Sequence, residues 1–213
     1  MRTLFSSDFQ WSLSSKKRRR YQQSRIDFYE GRNALVSRSS FSVLFNSHDA
    51  TPSRDTEKPI RFFGLEFGQS VKETIKKLGK PNYKDKRTLC LDKHTTIYYR
   101  LMIKQVKCIL QMHYYQDQFF FGKMEIRSSN PQTKRDISAL VCQKYGISEN
   151  DWTGAIIDQN SNKVHIKQNM VPSVIYVTGN QFLLNRIKLE LVPVQSTKRY
   201  SRLEQSELLL DMV

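Results

Sequence analysis

Tyr98, Arg100, Lys104, Lys107, Gln111, His113 and Tyr115 are the residues of this chain whose types and spacing could do chemistry together. They lie in two stretches where they alternate with apolar positions: Ile97, Tyr99, Leu101 and Ile103, then Val106, Cys108, Leu110, Met112 and Tyr114. Period two with one apolar side predicts a pair of antiparallel strands packed on one face, with the seven residues on the other. Bases can stack on tyrosine while Arg and Lys neutralise phosphate, which is how sheet platforms hold single strands. The same residue types also populate ordinary solvent-facing sheets and protein-docking faces.

A second cationic group is the run Lys16, Lys17, Arg18, Arg19 and Arg20, a candidate contact for phosphates or another polyanion. No enzyme motif accompanies either group. The sequence lacks a nucleophile elbow, a phosphate-binding glycine loop and a paired-histidine zinc motif, so no catalytic residue and no cofactor are expected. The histidines, His48, His94, His113 and His165, are far apart in sequence, and Asp92-Lys93-His94 alone does not make a metal site. Asp92 and Asp158 read more simply as turn residues whose carboxylates accept from the backbone two residues on. Cys90, Cys108 and Cys142 are odd in number without paired spacing, so they read as small hydrophobic residues and not as a disulfide framework.

The whole chain of 213 residues carries 35 Lys and Arg against 20 Asp and Glu, a net charge of +15. Of that, +5 falls in residues 1–59, +10 in residues 60–192 and none in residues 193–213, so the body itself should attract anionic partners. An apolar content of 38% is enough for a core. No stretch is long and apolar enough for a membrane span, and the start of the chain has its charges after its mildly apolar part, the wrong order for a secretory signal. A cytoplasmic location is the expectation.

The elements that must position these residues read as a faint internal repeat. Ser70–Ile126 and Thr133–Leu191 can be laid over one another, with Gly79 matching Gly146, Asp92 matching Asp158, Gln118 matching Gln181 and Glu125 matching Glu190. In the first copy Ser70 and Glu73 form a capping box, Val71, Thr74, Ile75 and Leu78 recur at helical spacing, and Gly79-Lys80-Pro81 stops the helix. Strands are expected through residues 97–104, 106–115 and 119–127. The second copy predicts a helix with Ile137, Leu140, Val141 and Tyr145, then strands over 154–158, 163–168, 174–178 and 182–191. The fold class is α+β, a two-layer sandwich of two tandem αβββ units (62–128 and 131–192) sharing an antiparallel sheet. Residues 1–59 are expected to be largely flexible, with a short helix near Arg25–Leu35, an edge strand at Phe41–Phe45, contacts to the body from Ile26, Phe28 and Tyr29, and a linker over 48–59. Residues 193–213 form a tail.

The helix-and-stop of the first unit, Phe67-Gly68-Gln69-Ser70-Val71-Lys72-Glu73 leading to Lys77-Leu78-Gly79-Lys80-Pro81, resembles the opening of SmpA/OmlA (BamE-like) and β-lactamase-inhibitor-protein modules. The resemblance implies a non-enzymatic scaffold presenting a sheet or helix face to another protein. Taken with it, the sequence reads as a binding or accessory module whose partner is a protein, the alternative being nucleic acid held by the basic, aromatic sheet face and the Lys16–Arg20 segment.

Overall fold

A computed structural model describes residues 15–45, 53–85, 91–103, 105–128, 130–148, 154–167 and 171–191. Its centre is one open sheet of eight strands: β1 (Ser53–Thr56), β2 (Tyr83–Asp85), β3 (His94–Ile103), β4 (Val106–Tyr115), β5 (Gln118–Arg127), β6 (Ala155–Asp158), β7 (Lys163–Lys167) and β8 (Ser173–Val177). The order across the sheet is β1-β6-β7-β8-β5-β4-β3-β2. Every pairing is antiparallel except β1 on β6. Two short meanders, β3-β4-β5 and β6-β7-β8, therefore meet through β5 and β8. The α+β class expected from the sequence is what the chain adopts.

Among the described residues five helices accompany the sheet: α1 (Ser15–Glu30), α2 (Ser42–Phe45), which continues a 3-10 turn over Arg38–Phe41, α3 (Val71–Leu78), α4 (Pro131–Tyr145) and α5 (Gln181–Leu191). The start of α3 follows from local chemistry. Ser70 accepts from the Glu73 backbone, the Glu73 carboxylate accepts from the Ser70 backbone at 2.7 Å, and Asp117 Oδ1 accepts from Val71 N at 3.0 Å. The bonds donated by the Ser70 backbone and hydroxyl hold the Glu73 carboxyl below its usual range. At the other end Gly79 takes φ 81°, in the region glycine tolerates best.

One face of the sheet is covered by α3, α4 and the segment around Phe62. Ile97, Tyr99, Leu110, Met112, Tyr114, Met124, Val164, Val174 and Tyr176 pack there with Val71, Val141 and Tyr145. Gly122 makes room for the ring of Phe62, since a Cβ at that position would stand 2.9 Å from Phe62 Cγ. The expectation of a one-sided sheet is corrected by the second face. Leu35, Phe41 and Leu44 from the N-terminal segment and Leu183, Leu184, Ile187 and Leu191 from α5 pack over Tyr115, Phe120, Phe121, Ile175 and Val177. Tyr29 of α1 covers Tyr98 and Ile109.

Three further expectations change. The stretch 182–191 is helix α5 and not a strand, so the pairings of Gln118 with Gln181 and Glu125 with Glu190 set a strand against a helix. Leu183, Leu184, Ile187 and Leu191 have the spacing of a helix stripe, and Asn180 Oδ1 accepts from Leu183 N at 3.1 Å at its start. Phe41–Phe45 is helical and not an edge strand, because Phe41 and Leu44 reach the core at helical spacing. The described part of residues 1–59 is built into the fold. Helix α1 is longer than expected, the supposed linker contributes β1, and Thr56 Oγ1 donates to the Tyr145 carbonyl at 2.8 Å.

Candidate anion-binding surface

The second face of the sheet has two ends with different cover. Four residues of the predicted binding face are closed off, Tyr98 under α1, Gln111 under the turn that follows it, and His113 and Tyr115 at the end under α2 and α5, and each is 0% exposed. Their outward placement is thereby corrected, and the reason is cover supplied from outside the strands. Gln111 is held by the N-terminal segment, accepting from Ala34 N at 3.0 Å and donating to the Arg32 carbonyl. Tyr115 donates to the Glu190 carboxylate of α5, and Tyr29 stands 5.0 Å from the Tyr98 ring. Arg100 and Lys107 remain exposed, and Lys104 lies outside the described residues. Lys16 to Arg20 fall within α1, whose backbone is helical through all five.

What the structure gathers at the open end is a cationic cluster around Phe28. The guanidinium carbon of Arg32 stands 3.9 Å from the Phe28 ring centroid, that of Arg100 4.2 Å and that of Arg127 5.8 Å. Strand register explains the convergence, since Arg100 faces Ile109 across β3 and β4, and Lys107 faces both Met102 and Arg127. Helix α1 then lays Phe28 over them. Arg32 also donates to the Phe28 carbonyl at 2.7 Å and lies 3.5 Å from Glu125, which Lys123 approaches at 3.9 Å from the other side. Burial lowers the Lys123 pKa despite that carboxylate. Neither Arg100 nor Arg127 forms a salt bridge among the described residues.

Two grooves flank this cluster. One of about 700 Å³ is lined by Phe28, Arg100, Met102, Lys107, Ile109 and Arg127. The other, about 340 Å³, runs between α1 and β3 past Tyr21, Ser24, Arg25, Asn82 and Arg100. Asn82 ties its walls together, accepting from Arg100 N at 2.6 Å through its side chain and from the Arg25 guanidinium through its carbonyl. Met102 at 64% and Tyr21 at 56% exposure present apolar surface beside the charges. Of this cluster the sequence points to Phe28 only as a contact to the body, and not to Arg25, Arg32 or Arg127. Their signal is the spacing Arg25, Phe28, Arg32, which a helix and its last turn place on one side.

The histidines that sequence distance separates are partly reunited. His94 Nε2 and His113 Nδ1 are 3.0 Å apart inside the closed end, with Thr96 Oγ1 at 3.2 Å from the same His113 nitrogen. Phe41, Phe120 and Phe121 surround the pair. Burial pushes His94 down to about 4 and His113 well below the ordinary range, so both are neutral at pH 7. No group of three or more metal-ligating side chains occurs among the described residues. Asp158 fills the turn role expected of it: Oδ1 accepts from Asn160 N and Asn162 N, each at 2.9 Å, and Oδ2 accepts from Ile60 N at 2.8 Å. Among the described residues no helix is long and apolar enough to cross a membrane.

No family model, no curated protein and no solved structure matches this chain.

Proposed function

We propose that this chain is a non-enzymatic binding module that engages an anionic partner through the open end of its second sheet face. The observation that carries the reading is Phe28 with three guanidinium groups within 6 Å of its ring, two of which, Arg100 and Arg127, form no salt bridge among the described residues. Cations gathered at a surface repel one another unless an anion offsets them; Glu125 offsets Arg32, and the remaining pair, Arg100 and Arg127, is suited to receive an anion. The aromatic stack holds Arg100 in place, which lowers the rotamer entropy lost when it binds. The test is a titration with heparin as a generic polyanion at about 50 and 200 mM salt. Binding that weakens steeply across that range and drops in an Arg100→Gln/Arg127→Gln variant supports the reading. Salt-insensitive binding, or binding untouched by the double substitution, contradicts it.

A second reading, a protein partner held by an apolar surface, has its own support on the outer side of α5. Phe182 and Leu189 are 72% and 73% exposed one helical face apart from the core stripe, with Arg186 between them and 5.9 Å from the Phe182 ring. The scaffold role implied by the sequence resemblance favours this reading too. Phe182→Ser/Leu189→Ser separates the two, since it leaves polyanion binding intact and removes an apolar protein contact.

A further inference from the structure

We propose that the anionic partner is a single-stranded nucleic acid, bound along a track that begins at Arg127 and Lys107, crosses Arg100 beside Phe28 and continues up α1. This rests on the anionic-partner reading above and adds the polymer, its strandedness and its path.

Three features point to it. The first is the alternation of charge with stackable or apolar surface along one line: the Arg127–Lys107 groove, the Phe28–Arg100 stack, then the groove of Tyr21 and Arg25. An acidic peptide needs the charges alone, whereas a nucleic-acid strand offers phosphates to the arginines and base faces to the Tyr21 ring and the Arg100 plane. The second is size. At about 340 Å³ the Tyr21 groove lies in the range of small-molecule sites, room for one base or nucleotide and not for paired strands. The third is continuity. The same helix carries the residues Lys16–Arg20 eight to twelve positions before Phe28, a rise of about 12 to 18 Å along its backbone at 1.5 Å per residue.

The measurement is fluorescence-anisotropy binding of the full chain to a labelled oligothymidine, to a duplex and to poly-glutamate of equal length, over a series of salt concentrations. The single strand is expected to bind at least about tenfold tighter than either competitor. With Arg25, Arg100, Lys107 and Arg127 each meeting a phosphate, log K should fall against log salt with a slope near −2.8, about −0.7 per contact, and steeper if Lys16–Arg20 contribute. Arg100→Gln should reduce that slope by about 0.7. Tyr21→Ala should weaken the single strand about tenfold or more while leaving the slope and the thermal midpoint unchanged, because the ring is exposed. Equal affinity for strand and duplex with no effect of Tyr21→Ala overturns the single-strand assignment and leaves the anionic-partner reading standing. Poly-glutamate binding as tightly as oligothymidine overturns nucleic acid as the polymer. Failure of all three to bind overturns both readings.

Discussion

The two ends of the second sheet face come from the same strands and the same alternation, yet one is core and the other is surface. At the closed end Gln111 lies beneath the Arg32–Ala34 turn, and His113, Tyr115 and Phe121 beneath α2 and α5, all with no exposure. At the open end Arg100, Met102, Lys107 and Arg127 project from the continuation of those strands, and α1 leans over them. The strands do not decide the difference. It is decided by segments on either side of them in the chain, residues 29–45 and 183–191, whose apolar side chains cover one end and stop short of the other. A polar-looking face can therefore be built to be buried, provided that each polar group finds a partner, as Gln111 does on Ala34 and Arg32.

The comparison breaks most visibly at its closed end. Phe121 is fully buried between His113 and the α5 residues, so Phe121→Ala should cost about 3 to 5 kcal/mol, read as a lower chemical-denaturation midpoint. Next comes Gly179, on which the placement of α5 depends. A Cβ there would stand 2.1 Å from the Asn160 carbonyl oxygen and 2.4 Å from the Ser161 carbonyl carbon, both backbone, so Gly179→Ala should cost about 3 kcal/mol and expose the closed end to a hydrophobic dye. Acidification should produce the third effect. His94 has a folded pKa of about 4 against an ordinary 6.5, so the unfolded chain binds more protons between those values and stability falls as pH drops through that window. Between pH 7 and pH 5 the loss from His94 is about 2 kcal/mol, and His94→Asn should reduce the pH dependence of the thermal midpoint without abolishing it, since burial also lowers the pKa of His113 and His165. The smallest effect sharpens the contrast. Arg100→Gln and Arg127→Gln at the exposed end should change stability by no more than about 0.5 kcal/mol while weakening anion binding.

The sequence made some of this legible and hid the rest for physical reasons. The Ser70–Glu73 cap and the Gly79 stop are readable because a few adjacent residues fix them, and β3 and β4 because apolar positions alternate along 97–103 and 106–114. The stretch 182–191 reads as a strand through its alignment with 119–127, whereas its own stripe at Leu183, Leu184, Ile187 and Leu191 has helical spacing. Burial of Tyr98, His113 and Tyr115 was hidden because it depends on packing with residues tens of positions away. Of the expected binding face, Arg100 and Lys107 lie in the candidate site, while Phe28, Arg32 and Arg127 join them only in three dimensions.

The central claim is that recognition belongs to the open end and stability to the closed one. Backbone amide NMR of the chain with and without a short oligothymidine tests it most directly. The account predicts shift changes concentrated at Tyr21–Arg32, Arg100–Ile103, Lys107 and Arg127, with α5 and the His94–His113 region unmoved. Shifts centred on the outer side of α5 around Phe182 and Leu189, with Arg100 and Arg127 silent, would contradict it.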